Sequence, residues 1–320
     1  MVLAACAGAA GPEGPAGAAG APGVAGPAGV PGAAATMAAA DLTCTDCHND
    51  TSMLTGKDLQ WEASGHGEGT AYLRGTSASC AGCHAGQGFS ERIAAGITDP
   101  DTVAEGVADP TRQDCRTCHQ IHTTYTGADF ALETTDPVVL YAMDGTFDMG
   151  AGNLCANCHQ PRRAIEVAAD GTVDVDSTHW GPHHGPQSTV LMGIGGSTDG
   201  NAGAHYSVVS DGCVTCHMGD TQDHTMAPAV ATCQECHADA ENLDVDGVQT
   251  EIHALYDELT AALQAKGLVD DAGSPVVGIY PAAQAGAIWD YAMIADDGSW
   301  GVHNPGYIKT LLTADIAALQ

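Results

Sequence analysis

The chain has 320 residues and sets 40 acidic against 9 basic side chains, a formal charge of −31, with 5% aromatic residues and 41 glycines. A surface this acidic repels nucleic acid and anionic lipid and favours cations, cationic partners or metal oxides. With so few aromatics, side chains alone are thin material for a core at this length, and something else is expected to help fill the interior.

Residues 1–6 end on Leu3-Ala4-Ala5-Cys6, the form of a bacterial lipoprotein cleavage box. They read as the remnant of an export leader, with Cys6 lipidated. A full leader needs an apolar stretch of roughly 7–15 residues, so its start is expected upstream. The alternative for Cys6 is a free thiol. Residues 7–40 are a low-complexity arm in which glycine stands at every third position from Gly8 to Gly32. That is the period of collagen, where only glycine fits at the axis of three polyproline-like strands. Eight triplets are few for a stable triple helix. The arm therefore reads either as an extended spacer, on the order of 75 Å long, or as a trimerising device.

Residues 41–240 carry one pattern six times: Cys44-Thr-Asp-Cys47-His48, Cys80-Ala-Gly-Cys83-His84, Cys115-Arg-Thr-Cys118-His119, Cys155-Ala-Asn-Cys158-His159, Cys213-Val-Thr-Cys216-His217 and Cys233-Gln-Glu-Cys236-His237. In such a unit the two thiols add across the vinyl groups of a haem and the adjacent histidine reaches its iron. Zinc ribbons and redox dithiols also use Cys-x-x-Cys pairs, but neither needs a histidine after every second cysteine. Six covalent haem c groups are thus expected, with His48, His84, His119, His159, His217 and His237 as proximal ligands. Between the motifs the text is rich in turn residues, as in Asp99-Pro100 and Asp109-Pro110, and predicts short helical turns joined by irregular loops.

Fifteen histidines minus six proximal ones leave nine to serve as sixth ligands. His66, His122, His183, His205, His224 and His303 are the candidates chosen as distal ligands, with His179, His184 and His253 in reserve. His205 and His224 flank the Cys213 motif and are expected to serve that motif and the next locally. His253 falls in a helical pattern and reads as a partly exposed surface residue. Closure of every iron by two histidines favours electron transfer over catalysis.

Residues 241–320 change character. Ile252, Leu255, Leu259 and Leu263 recur at helical spacing over 248–266, with Gly267 as the stop. A second helix is predicted over 282–295, and Asn304-Pro305 reads as a cap followed by proline at the first helical position of a third. This tail is expected to pack on the haem domain.

Cys155-Ala-Asn-Cys-His-Gln-Pro-Arg, His179-Trp-Gly-Pro-His-His-Gly-Pro-Gln, Gly212-Cys-Val-Thr-Cys-His-Met and Gly301-Val-His-Asn-Pro resemble segments of bacterial and archaeal multihaem c-type cytochromes. The haem count is similar to that of the extracellular hexahaem cytochromes that polymerise into conducting filaments, and the tail resembles the helical end of nitrite-reductase-type proteins. The resemblance implies a mostly irregular fold with short α-helices organised around stacked haems. It also implies no catalytic residue, since the Cys-x-x-Cys-Lys unit of the nitrite reductases does not occur. In filament cytochromes a neighbouring subunit supplies one distal histidine from near its N-terminus. No histidine precedes His48 here, so His303 is expected to play that part. The reading is an exported electron carrier, extracellular or at the cell surface, exchanging electrons with redox proteins or metal oxides and assembling with its own kind. The rivals are a reductase of nitrogen or sulfur oxyanions with one open haem, and a tethered cytochrome trimerised by its arm.

Overall fold

The computed structural model describes residues 52–100 and 105–320. The glycine-triplet arm, Cys6 and the first motif, Cys44 to His48, lie outside the described residues. Contacts group Ala40–Gln320 into one compact unit.

Most of the secondary structure before residue 240 is short. Helix α1 (Ser52–Glu62) precedes the second motif, and α2 (Ala78–His84) carries that motif and runs into α3 (Gly86–Ala94). Short turns follow at the remaining motifs, α4 (Cys115–Cys118), α5 (Asn153–Ala156), α8 (Cys213–His217) and α9 (Val230–Gln234), with α6 (Gln187–Met192) and α7 (Ala204–Val208) between the fourth motif and the fifth. One helical turn suits this motif for a geometric reason. Positions i, i+3 and i+4 share a face, so two thiols and a histidine are offered to the same side.

The tail holds the long helices α10 (Val248–Ala265), α11 (Ala282–Asp297) and α12 (Pro305–Ala318). Helix α10 buries Ile252, Leu259 and Leu263 and stops where Gly267 takes φ of +68°, a left-handed turn in which the Leu268 N–H returns to the Leu263 carbonyl at 2.9 Å. At the start of α12 the Asn304 side chain accepts from the Tyr307 N–H, with Pro305 behind it, a cap that stabilises by about 1 kcal/mol.

Two small sheets were not expected from the sequence. Strand β1 (Val138–Val139) pairs antiparallel with β2 (Thr146–Phe147), and β3 (Thr172–Val175) pairs antiparallel with β4 (Gly278–Pro281), matching Val173 with Tyr280. The second sheet stitches the middle of the chain to its tail. The main hydrophobic core likewise ignores any boundary near residue 240: Val173, Val175, Trp180 and Val190 are buried together with Leu259, Ile288, Trp289, Ile308 and Leu312. Trp180 meets Trp289 edge to face at 5.1 Å between ring centres, and the Trp289 indole donates to the Gly195 carbonyl at 2.8 Å. A smaller cluster of Val138, Leu140, Phe147, Met149, Ala156 and Leu191 backs the fourth motif.

Candidate haem-binding site

A single cavity of about 2820 Å³ runs past all five described motifs. It is lined by the motif histidines and by His66, His122, His183, His184, His205, His224 and His303.

The histidine rings stand in pairs across this cavity. Ring centres are 6.1 Å apart for His66 and His159, 6.3 Å for His84 and His183, 6.2 Å for His119 and His224, 6.3 Å for His205 and His237, and 6.3 Å for His217 and His303. These gaps test whether a haem iron fits. A metal–imidazole bond of about 2 Å on each side, plus roughly 1.2 Å from each nitrogen to its ring centre, requires about 6.4 Å. The residues present fit the group at five sites, each offering two thiols, one proximal and one distal histidine.

The other ring nitrogen is occupied in most cases, which orients the ring and leaves Nε2 for the metal. Nδ1 of His119 bonds the Phe130 carbonyl at 2.7 Å, that of His205 the Val302 carbonyl at 2.7 Å, that of His217 the Met226 carbonyl at 2.8 Å, and that of His224 the Gln222 carbonyl at 2.8 Å. His159 meets the Gln187 side-chain oxygen at 3.1 Å, and His66 stands 3.0 Å from the Met226 sulfur. His303 donates to the Asp297 carboxylate at 2.6 Å. Burial lowers the pKa of His66 to about 4, with His159 adding to it, and burial does the same for His183, helped by Arg162 and His184. Both rings are therefore neutral near pH 7, as iron ligation demands. For His303 burial works in the same direction, but the Asp297 charge and hydrogen bond outweigh it and the pKa is raised.

The pairing crosses the chain in a way that local spacing does not suggest. His224 lies between the last two motifs yet faces His119 of the third, so the expectation that it serves them locally is corrected. His205 does face His237, and His217 is met by His303 from the tail. His66, ahead of the second motif, faces the fourth; His183, after the fourth, faces the second. The cross-subunit role expected of His303 is also corrected, because its ring is buried and paired within its own chain, tied to Asp297, whose carboxylate also accepts from the Ser299 hydroxyl.

His122 lines the same cavity. Its backbone takes φ of +67°, its N–H donates to Asp129 at 2.8 Å, and its ring stacks on Tyr125 at 5.5 Å. Of the reserves, His179 is exposed. His184 is bonded to Asp296 at 2.8 Å, and His253 stacks on Trp300 at 4.0 Å on the exposed side of α10. No local pattern in the sequence marks the carboxylates Asp296 and Asp297, which bond His184 and His303. They close α11, and only the packing of that helix end against the cavity brings them to the histidines.

Thiols from different motifs also meet. The Cys158 side chain is hydrogen-bonded to that of Cys83, and Cys155 to that of Cys213.

Repeated attachment motifs, paired histidine rings and short helices around a shared cavity fit the fold of multihaem c-type cytochromes, whose members bind haem c covalently. Residues 32–120 match the family described as cytochrome c7 and related cytochrome c. Among solved structures, the outer cell wall cytochrome OcwA shares the fold, with a TM-score of 0.54 at 21% identity; the similarity covers 82% of this chain and 50% of that one. The chain thus spans about half the length of OcwA. No curated protein matches it. Among the described residues no helix is long and apolar enough to cross a membrane.

Proposed function

We propose that this protein is an electron carrier with six haem c groups, every iron held between two histidines, working outside the cytoplasmic membrane. The observation that carries the reading is the set of five ring pairs at 6.1–6.3 Å. Haem supplies a one-electron iron couple when bound. The paired histidines close both faces against a substrate, and their Nδ1 partners hold the rings in one orientation through the change of charge, which keeps rearrangement small. A reductase would need one face left open, and at each of the five described motifs a second ring occupies that face.

For the first motif we infer that His122 supplies the distal ring. It lines the shared cavity, and the Asp129 carboxylate fixes its loop by accepting from the backbone N–H groups of His122, Thr124 and Tyr125. The likeness to an outer cell wall cytochrome supports a place at the cell surface. The charge of −31 supports cationic redox proteins or metal oxides as partners. If copies assemble into a filament, as in the cytochromes resembled, the junction must use a contact other than His303.

Purified holoprotein should weigh six haems more than the polypeptide and show only low-spin ferric signals by paramagnetic resonance. A high-spin component in the native protein would select the reductase instead. Fewer than six attached haems would reject the count.

A further inference from the structure

The fourth and fifth attachment sites adjoin. Gly152, just ahead of Cys155, lets the two backbones close: a Cβ there would stand 3.0 Å from the Cys213 nitrogen and from the Asp211 carbonyl oxygen. Residues 223–226 tie the two sites together on the histidine side. The Asp223 carboxylate accepts from the Thr225 N–H at 2.9 Å and the Asp223 carbonyl from the Met226 N–H at 3.3 Å, a closed turn in which Met226 takes φ of +57°. From that turn the Met226 sulfur meets Nδ1 of His66 at 3.0 Å, and the Met226 carbonyl accepts from Nδ1 of His217 at 2.8 Å. One residue therefore stands behind an axial histidine of each site.

What stands behind the four rings differs between the two sites. Nδ1 of His66 faces a thioether, a weak acceptor, and Nδ1 of His159 faces the neutral Gln187 amide oxygen at 3.1 Å. Gln187 is turned that way because its amide nitrogen donates to the Asp296 carbonyl at 2.9 Å. At the fifth site His217 faces a backbone carbonyl, and His303 faces the buried Asp297 carboxylate at 2.6 Å. A strong or charged acceptor makes the imidazole a more basic ligand and favours ferric iron, whereas a weak one leaves it less basic and favours ferrous. Fixed charge acts in the same sense. The fully buried Arg92 guanidinium donates to the Asn157 carbonyl, within the fourth motif, and to the Thr98 carbonyl, both at 3.1 Å. A cation thus stands beside the site that has the weak acceptors, where it opposes the added positive charge of the oxidised state.

We propose that the His66–His159 site is poised at a higher potential than the adjoining His217–His303 site, with Met226 and Asp297 as the residues that set the step between them. Electrons arriving at the fifth site pass to the fourth and return only against that step, so the pair gives the array a direction. This rests on the carrier reading above, and it fails separately from it.

The test titrates the haem-loaded protein electrochemically, following each ferric low-spin signal by paramagnetic resonance, in the unaltered chain and in the Met226→Gln and Asp297→Asn variants. An amide oxygen is a stronger acceptor than sulfur, so Met226→Gln should shift one midpoint down, while Asp297→Asn should shift a different one up. In the unaltered protein the first of these midpoints should lie above the second. The isosteric Gln187→Glu puts a carboxylate behind His159 and should lower the same midpoint as Met226→Gln, which it replaces in the comparison if that variant loses haem. The step is overturned by the reverse order of the two midpoints, by a single midpoint that answers to both Met226 and Asp297, or by no shift in Met226→Gln. Any of these results in a protein with only low-spin signals leaves the carrier reading standing.

Discussion

Two regions of this molecule hold themselves together by different means. The tail, with the segments from Val173 to Val190 that join it, buries Trp289, Ile288, Leu259 and Leu312 against one another as a helical protein does. The region from Ser52 to His237 has helices of one to three turns and a cavity of about 2820 Å³ where a core would lie. Periodic apolar sequence makes the first possible, and covalently held haem replaces it in the second. Sparse aromatics are tolerable in the chain as a whole because only part of it relies on side chains for its interior.

The largest effect should come from withholding haem. Expressed without the attachment machinery, the chain should lose amide protection by roughly a thousand-fold or more over residues 105–160 and 204–240, while α10 to α12 lose much less. Equal loss in both regions would erase the distinction. Next, Trp289→Ala should destabilise by about 3–5 kcal/mol in denaturant unfolding and leave the haem content unchanged. A loss of haem in that variant would show that the tail core supports the sites directly. His303→Ala leaves the thioether bonds in place and should turn one ferric haem high-spin, read by absorption and paramagnetic resonance. Asp297→Asn should keep that haem low-spin but raise its potential, because a neutral amide supports a less basic ligand than a carboxylate does.

A smaller effect concerns the tail itself. Asp315 stands against Asp290 in its core. Burial first, then the neighbouring carboxylate, pushes Asp315 up to about 9, and burial pushes Asp290 up to about 6. Both therefore keep protons in the folded chain that they lose in the unfolded one. Stability from this pair is fullest below about pH 4 and falls as pH rises through the folded values toward 9. The urea midpoint should decline between pH 5 and pH 8, and the Asp315→Asn variant should decline less. An equal decline would place the pH dependence elsewhere.

Much was legible in the residues because some features depend only on near neighbours. Cys-x-x-Cys-His places its groups on a single helical turn whatever surrounds it, so each attachment site is local. The tail helices could be read for the same reason: the apolar spacing of α10, the Asn304-Pro305 start and the Gly267 stop are written within a few positions of where they act. The distal histidines could be chosen as candidates, since histidines in excess of the motifs stand in Gly- and Pro-rich loops. Their partners could not. His224 sits between the fifth and sixth motifs and turns to the third, and His303 leaves a tail helix start to face His217, because each choice is made by how distant segments pack. The two small sheets, too short to announce themselves by alternation, belong to the same class. Which side chains can hold haem follows from residue type and near spacing; which two rings face each other follows from packing, since a histidine's reach is a few ångströms and only the fold brings its partner that near.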